Sequence, residues 1–128
     1  MNGVDDFIKK LDRELRTGLL SLLVLLVVES EPGACYGYHI ISKLKELTGG
    51  NLVLQEGTIY PVLHSLHAQG LVDSEWGTST NGPPRKYYRL TPTGKAAIDK
   101  GLRLWRELDI SSKQVVKGLR GERGEGAR

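Results

Sequence analysis

Cysteine is nearly absent from this sequence. Cys35 stands alone, so no internal disulfide can staple the fold and a packed core must hold it. That usage suits a reducing compartment, and the cytoplasm is expected. Long apolar runs are missing as well. The longest, Leu19 to Val28, is ten residues interrupted by Ser21, against the roughly 20 consecutive apolar residues a bilayer core requires. Nor does it read as the core of a signal peptide, because the residues before it already follow helical periodicity and carry charges of both signs. Neither a membrane partner nor a cleaved leader is expected. Enzyme motifs are equally scarce. There is no glycine-rich phosphate loop, no series of nucleophile, base and orienting group, and no carboxylate pair placed by a motif, so neither catalysis nor a cofactor is expected.

What is present is 128 residues, 39% apolar and 26% charged, the profile of an ordinary globular domain with one core. Eighteen Lys and Arg against fifteen Asp and Glu leave a net charge of +3, a mild excess compatible with a polyanionic partner.

Periodicity divides the chain into elements. Val4, Ile8, Leu11, Leu15, Leu19, Leu22 and Leu26 recur at three- and four-residue steps and predict a long first helix that Glu31-Pro32-Gly33 ends. From Leu19 onward it is apolar almost all round, so that half must be covered on more than one side. Gly37, Ile40, Ile41, Leu44 and Leu47 predict a second helix, stopped by Thr48-Gly49-Gly50. A third helix buries Ile59, Val62, Leu63 and Leu66, turns Pro61, His64, Ser65 and Ala68 outward, and ends at Gly70. Thr58 is a candidate N-cap that would place Pro61 in the tolerant first turn; an earlier start with a local kink is the other reading.

Leu71 to Trp76 and Lys86 to Leu90 read as two strands of a hairpin whose protruding tip holds Asn81-Gly82-Pro83-Pro84. Thr91-Pro92 then opens a final helix with a cap residue followed by proline. Along it Ile98, Gly101, Trp105, Leu108, Ser112, Val115 and Leu119 form a heptad-like seam that implies a partner helix. Residues 1–117 are expected to form the folded part, and Gly118 to Arg128, with four glycines and five charges, a flexible tail.

Three helices, a hairpin and a long helix make a fold that is mainly α with a small β hairpin, a winged helix-turn-helix with an added dimerisation helix. The sequence resembles the PadR family of bacterial transcriptional regulators. The likeness runs through Arg16-Thr-Gly-Leu-Leu-Ser-Leu-Leu-Val-Leu, Tyr36-Gly-Tyr38, Gly57-Thr-Ile-Tyr-Pro61, Leu66-His-Ala-Gln-Gly-Leu71, Glu75-Trp76 and Pro83-Pro-Arg-Lys-Tyr-Tyr-Arg-Leu-Thr91. The resemblance implies a homodimeric repressor on a near-palindromic double-stranded DNA operator, with the third helix in the major groove.

Thr58, Tyr60, His64 and Ser65 are then the candidate reading residues, and Lys43, Arg85 and Lys86 candidate phosphate contacts. Many relatives carry Lys or Arg in the middle of the reading helix, whereas this chain has His64, Ser65 and His67. From Pro32 to Thr91 five cations face four acids, so the electrostatic attraction is thin unless dimerisation doubles it or the imidazoles protonate against phosphate. Tyr60 also reads as a half-buried core tyrosine. A metal held by His64 and His67 with Cys35 or His39 has no supporting ligand spacing.

Trp105 and Asp109 lie one turn apart on the last helix, a π face and a carboxylate on one side, which suits a flat aromatic cation. The resemblance adds that in drug-sensing members such a tryptophan pairs with its twofold mate to form a flat pore. It thereby implies a planar aromatic or cationic effector at Trp105 and Asp109, with Leu15 and Leu19 as pore walls. A winged-helix module that binds protein without touching DNA remains the alternative.

Overall fold

The computed structural model describes residues 2–78 and 82–121. Asn81 of the hairpin tip and the tail at 122–128 lie outside the described residues. The elements run α1 (Gly3–Ser30), β1 (Cys35–Tyr36), α2 (Gly37–Leu47), α3 (Glu56–Ala68), β2 (Val72–Gly77), β3 (Arg85–Leu90) and α4 (Pro92–Arg120). The chain divides into two compact units, Met1–Ile98 and Asp99–Arg128. α4 starts in the first and supplies the helical part of the second. It extends through Arg120, so the first residues of the expected tail are helical instead.

In the first unit, α1 opens on Asn2, whose side chain accepts the Asp5 N–H at 2.8 Å. Leu20, Val24, Val27 and Val28 form its core-facing stripe. This is not the stripe that periodicity selects: Leu15 is exposed, and Leu19, Leu22 and Leu26 are only partly covered. Where a helix is apolar all round, its own pattern carries no information about which face the domain takes. Against that stripe pack Ile40 and Leu44 of α2 and Ile59, Leu63 and Leu66 of α3. Leu47, expected on the buried face of α2, is exposed.

α3 begins one turn earlier than a Thr58 cap requires. Gln55 is its N-cap residue, without a side-chain bond, and Thr58 sits in the first turn with its N–H on the Gln55 carbonyl at 2.9 Å. Pro61 is therefore inside the helix, where its missing N–H removes one bond, the one Gly57 would have accepted. At the other end Gly70, at φ +77°, closes the helix: Leu71 N–H reaches the Leu66 carbonyl and Gly70 N–H that of His67, both at 3.0 Å.

The hairpin is one side of a three-stranded antiparallel sheet of order β1-β3-β2. The third strand, β1, is two residues long and pairs Cys35 with Tyr88 and Tyr36 with Tyr87. Across the hairpin Val72 faces Leu90 and Trp76 faces Lys86. Thr91 then joins sheet to helix. Its hydroxyl donates to the Gly70 carbonyl at 2.7 Å and accepts the Gly94 N–H at 3.0 Å, the expected cap at the start of α4.

Candidate nucleic-acid interface

Burial of Ile59, Leu63 and Leu66 fixes which side of α3 faces out, and Thr58, His64, Ser65 and His67 all lie on the exposed side. The Ser65 hydroxyl accepts from Gln69 Nε2 at 3.1 Å and keeps its own proton to donate. Tyr60 divides its ring between two environments. It is 40% exposed, yet a Cβ added to Gly37 would lie 2.8 Å from its Cε1, Cζ and Oη, so the start of α2 is cut away to seat it. Burial, and then the Glu56 carboxylate, raise its phenol above the ordinary value of 10.0. The hydroxyl therefore stays protonated near neutrality, able to donate while the ring locks α3 onto α2.

The cations of the wing are held by aromatic rings. Arg85 places its guanidinium carbon 4.4 Å from the centre of Tyr36, which itself meets Tyr87 edge-on at 5.6 Å. Lys86 lies 5.7 Å from the Trp76 ring. An exposed cation–π contact contributes about 0.5–1 kcal/mol, less than the roughly 1.5–3 kcal/mol of a hydrogen bond to a charged group. A phosphate can thus take these cations without dismantling anything that holds the wing. Arg89 is committed to Glu75 across the strands at 3.4 Å, and Lys43, half-buried, sits 3.6 Å from Glu46.

Sequence reasoning missed the Tyr36 platform under Arg85 and the Gly37 seat under Tyr60. Both lie in the Tyr36-Gly37-Tyr38 segment, whose aromatic and glycine pairing was the available signal. Among the described residues no three His, Cys, Asp or Glu side chains are grouped to hold an ion. Cys35 is buried in β1, where burial and then the Glu31 charge push its thiol up to about 11.

Trp105 and Asp109 belong to the second unit, where the indole is 46% exposed and Asp109 Oδ2 lies 3.0 Å from Lys113 Nζ. The acid therefore already carries a cationic neighbour. Leu15 and Leu19 belong to the first unit, Leu15 exposed and Leu19 partly covered.

A helix with an exposed polar face, a braced helix before it and a cation-bearing wing after it form a winged helix-turn-helix. Residues 24–100 match the model of the PadR-like transcriptional regulator family. The chain belongs to that family. This PadR-like regulator is 30% identical over 105 residues to an uncharacterised protein of Lysinibacillus sphaericus, covering 82% of this chain and 94% of the relative. It is 37% identical over 82 residues to a transcriptional regulator of Mycobacterium tuberculosis, covering 64% and 73% of the two chains. Among solved structures it is similar to a PadR family transcriptional regulator from Eggerthella lenta, at TM-score 0.74 and 30% identity, covering 89% of this chain and 96% of that one. The PadR-like protein is accordingly a DNA-binding transcriptional regulator, and its family is not one of enzymes. Among the described residues no helix is long and apolar enough to cross a membrane.

Proposed function

We propose that this PadR-like regulator is a homodimeric repressor that reads a near-palindromic operator with paired α3 helices. A planar aromatic or cationic molecule bound between the subunits releases it. The observation that carries the reading is the apolar row left uncovered along α4. Leu104, Trp105, Leu108, Val115 and Leu119 are all exposed in the single chain, Leu119 by 82%. A row of that length at heptad-like spacing is stable in water only when a second helix covers it. Val4, Phe7, Ile8 and Leu11 at the start of α1 repeat the same signature in the other unit.

On DNA, Thr58, Tyr60, His64 and Ser65 meet base edges or the adjoining phosphates, and Lys43, Arg85 and Lys86 neutralise phosphates. Twofold symmetry sets the two half-sites about 34 Å apart. The effector lies on the Trp105 faces with Asp109 as counter-charge. It acts only if it prefers a dimer whose reading helices are out of register with the groove, because equal affinity for both arrangements shifts nothing. A regulator of this kind works beside the chromosome, in the cytoplasm.

The test joins solution mass to salt-dependent binding of the DNA upstream of its own gene. A dimer at micromolar concentration is expected, with log affinity falling against log salt at least as steeply as about −5, which is what three cations in each of two subunits release. A monomer, or binding indifferent to salt, overturns the proposal.

A further inference from the structure

α1 carries a polar face that the winged-helix site does not use. Arg13, Arg16, Thr17 and Leu20 follow each other at the spacing of one helix side. Leu20 is buried, which turns that side toward the body of the first unit. One and two turns earlier the same side opens into a groove of about 490 Å³, closed opposite by Asn51 and by Thr58 in the first turn of α3. The lining combines two arginines, two threonines and an asparagine with three apolar residues, Leu20, Val53 and Leu54, and holds no carboxylate.

The two arginines are in different states. Arg16 donates from Nε to Asp12 Oδ1 at 2.7 Å, which fixes the plane of the guanidinium while leaving both terminal amino groups outside that bond. Asp12 is not part of the groove lining. Arg13 has no ion-pair partner among the described residues. A planar fork held from behind, beside a second free fork, is the arrangement that receives the oxygens of a phosphate.

We propose that this groove seats a phosphodiester of the DNA backbone alongside the start of the reading helix. The inference rests on the DNA-binding reading and adds to it. Thr58 is shared between the groove and the reading helix, so an anion held by Arg13 and Arg16 lies next to the strand that α3 reads. A duplex phosphate is thereby favoured over a free anion. The contact positions the protein in register and carries no sequence preference of its own.

The experiment measures anisotropy of labelled operator and scrambled duplexes across a salt series. It compares the native protein with Arg13→Ala, Arg16→Ala, the double variant and Arg85→Ala as a wing control, with thermal melting alongside. Each single arginine variant is expected to weaken both duplexes by the same factor and to flatten the log–log slope by about two units, one phosphate per subunit. Asp12→Asn, which removes a negative charge beside the groove without touching its lining, is expected to tighten both duplexes, and provides a reading that loss of folding cannot imitate. Binding and slope unchanged in the double variant, while Arg85→Ala weakens binding, overturns the groove and leaves the DNA reading intact. Failure of the native protein to bind either duplex at low salt overturns both. Weakening confined to the operator also overturns the inference, because a backbone seat cannot discriminate between sequences.

Discussion

Replacing Gly94 with alanine sets two effects of opposite sign against each other. In a helix, alanine is favoured over glycine by up to about 1 kcal/mol, because the unfolded chain loses less freedom. At Gly94, however, the new Cβ would collide with the Leu71 carbonyl oxygen and lie 2.7 Å from Leu90 Cδ1. The leucine methyl can swing aside, but the carbonyl cannot. It accepts the Thr91 N–H at 3.2 Å, and the Leu71 N–H is tied to Leu66 at 3.0 Å, so moving it loosens both the end of α3 and the entry to α4. Forcing a methyl into a packed site costs about 1–3 kcal/mol, and immovable backbone puts this site at the upper end, for a net loss of about 2 kcal/mol. With unfolding entropy of about 2.1 cal/mol/K per residue, a chain of 128 residues should melt about 7 °C lower. The assay is thermal unfolding followed by far-ultraviolet circular dichroism, with Gly57→Ala as the internal comparison. Nothing lies within 4 Å of a Cβ at Gly57, so the same substitution there should hold or raise the melting temperature. A Gly94→Ala protein that melts at or above the native temperature would refute the steric reasoning.

Cys35, 3% exposed with its thiol raised from 9.0 to about 11, should alkylate at pH 8 at least about 100-fold more slowly in the native protein than in the unfolded chain. Because the folded value is the higher one, the neutral thiol's contribution to stability is complete below pH 9.0 and is lost as pH rises toward about 11; equal alkylation rates in the two states would contradict the burial. For the effector, titrating planar cationic dyes in a Trp76→Phe background, native or Trp105→Ala, should give at least about tenfold weaker binding without the indole, a loss of about 1.4 kcal/mol. Equal dye affinity removes Trp105 from the site.

Legibility in this sequence followed the range of the interaction. Thr91-Pro92 announced the start of α4 because a cap is chemistry between a hydroxyl and an N–H three residues on, and the Thr91–Gly94 bond is that contact. The buried face of α3 was legible because Ile59, Leu63 and Leu66 stand out against polar neighbours. Its first residue was not, because Gln55 caps without a side-chain bond and Thr58 offered a better local cap than the one the fold uses. β1 was invisible for a different reason. Two residues have no period, and what makes Cys35-Tyr36 a strand is Tyr87-Tyr88, fifty positions away. The Tyr60 seat on Gly37 and the Arg85 stack on Tyr36 are likewise long-range pairings, whose members were legible only one at a time.

Charge presents the sharpest case of this limit. Between Pro32 and Thr91 five cations oppose four acids, and the fold removes part of even that excess by setting Arg89 against Glu75 and Lys43 against Glu46. Exposed pairs of this kind contribute at most about 1 kcal/mol, so phosphate can compete for Lys43, but the wing and α2 remain a weak source of attraction. α1 lies outside that count in sequence and inside the fold in space, which is how Arg13 and Arg16 come to face the first turn of α3. The two accounts differ in a single measurable slope. Lys43, Arg85 and Lys86 in each subunit of a dimer release counterions worth about −5, whereas one further phosphate per subunit, held by the α1 arginines, raises the total to about −7. A native slope near the shallower value places the affinity in symmetry alone. A slope near the steeper one requires α1 to lie on the DNA as well.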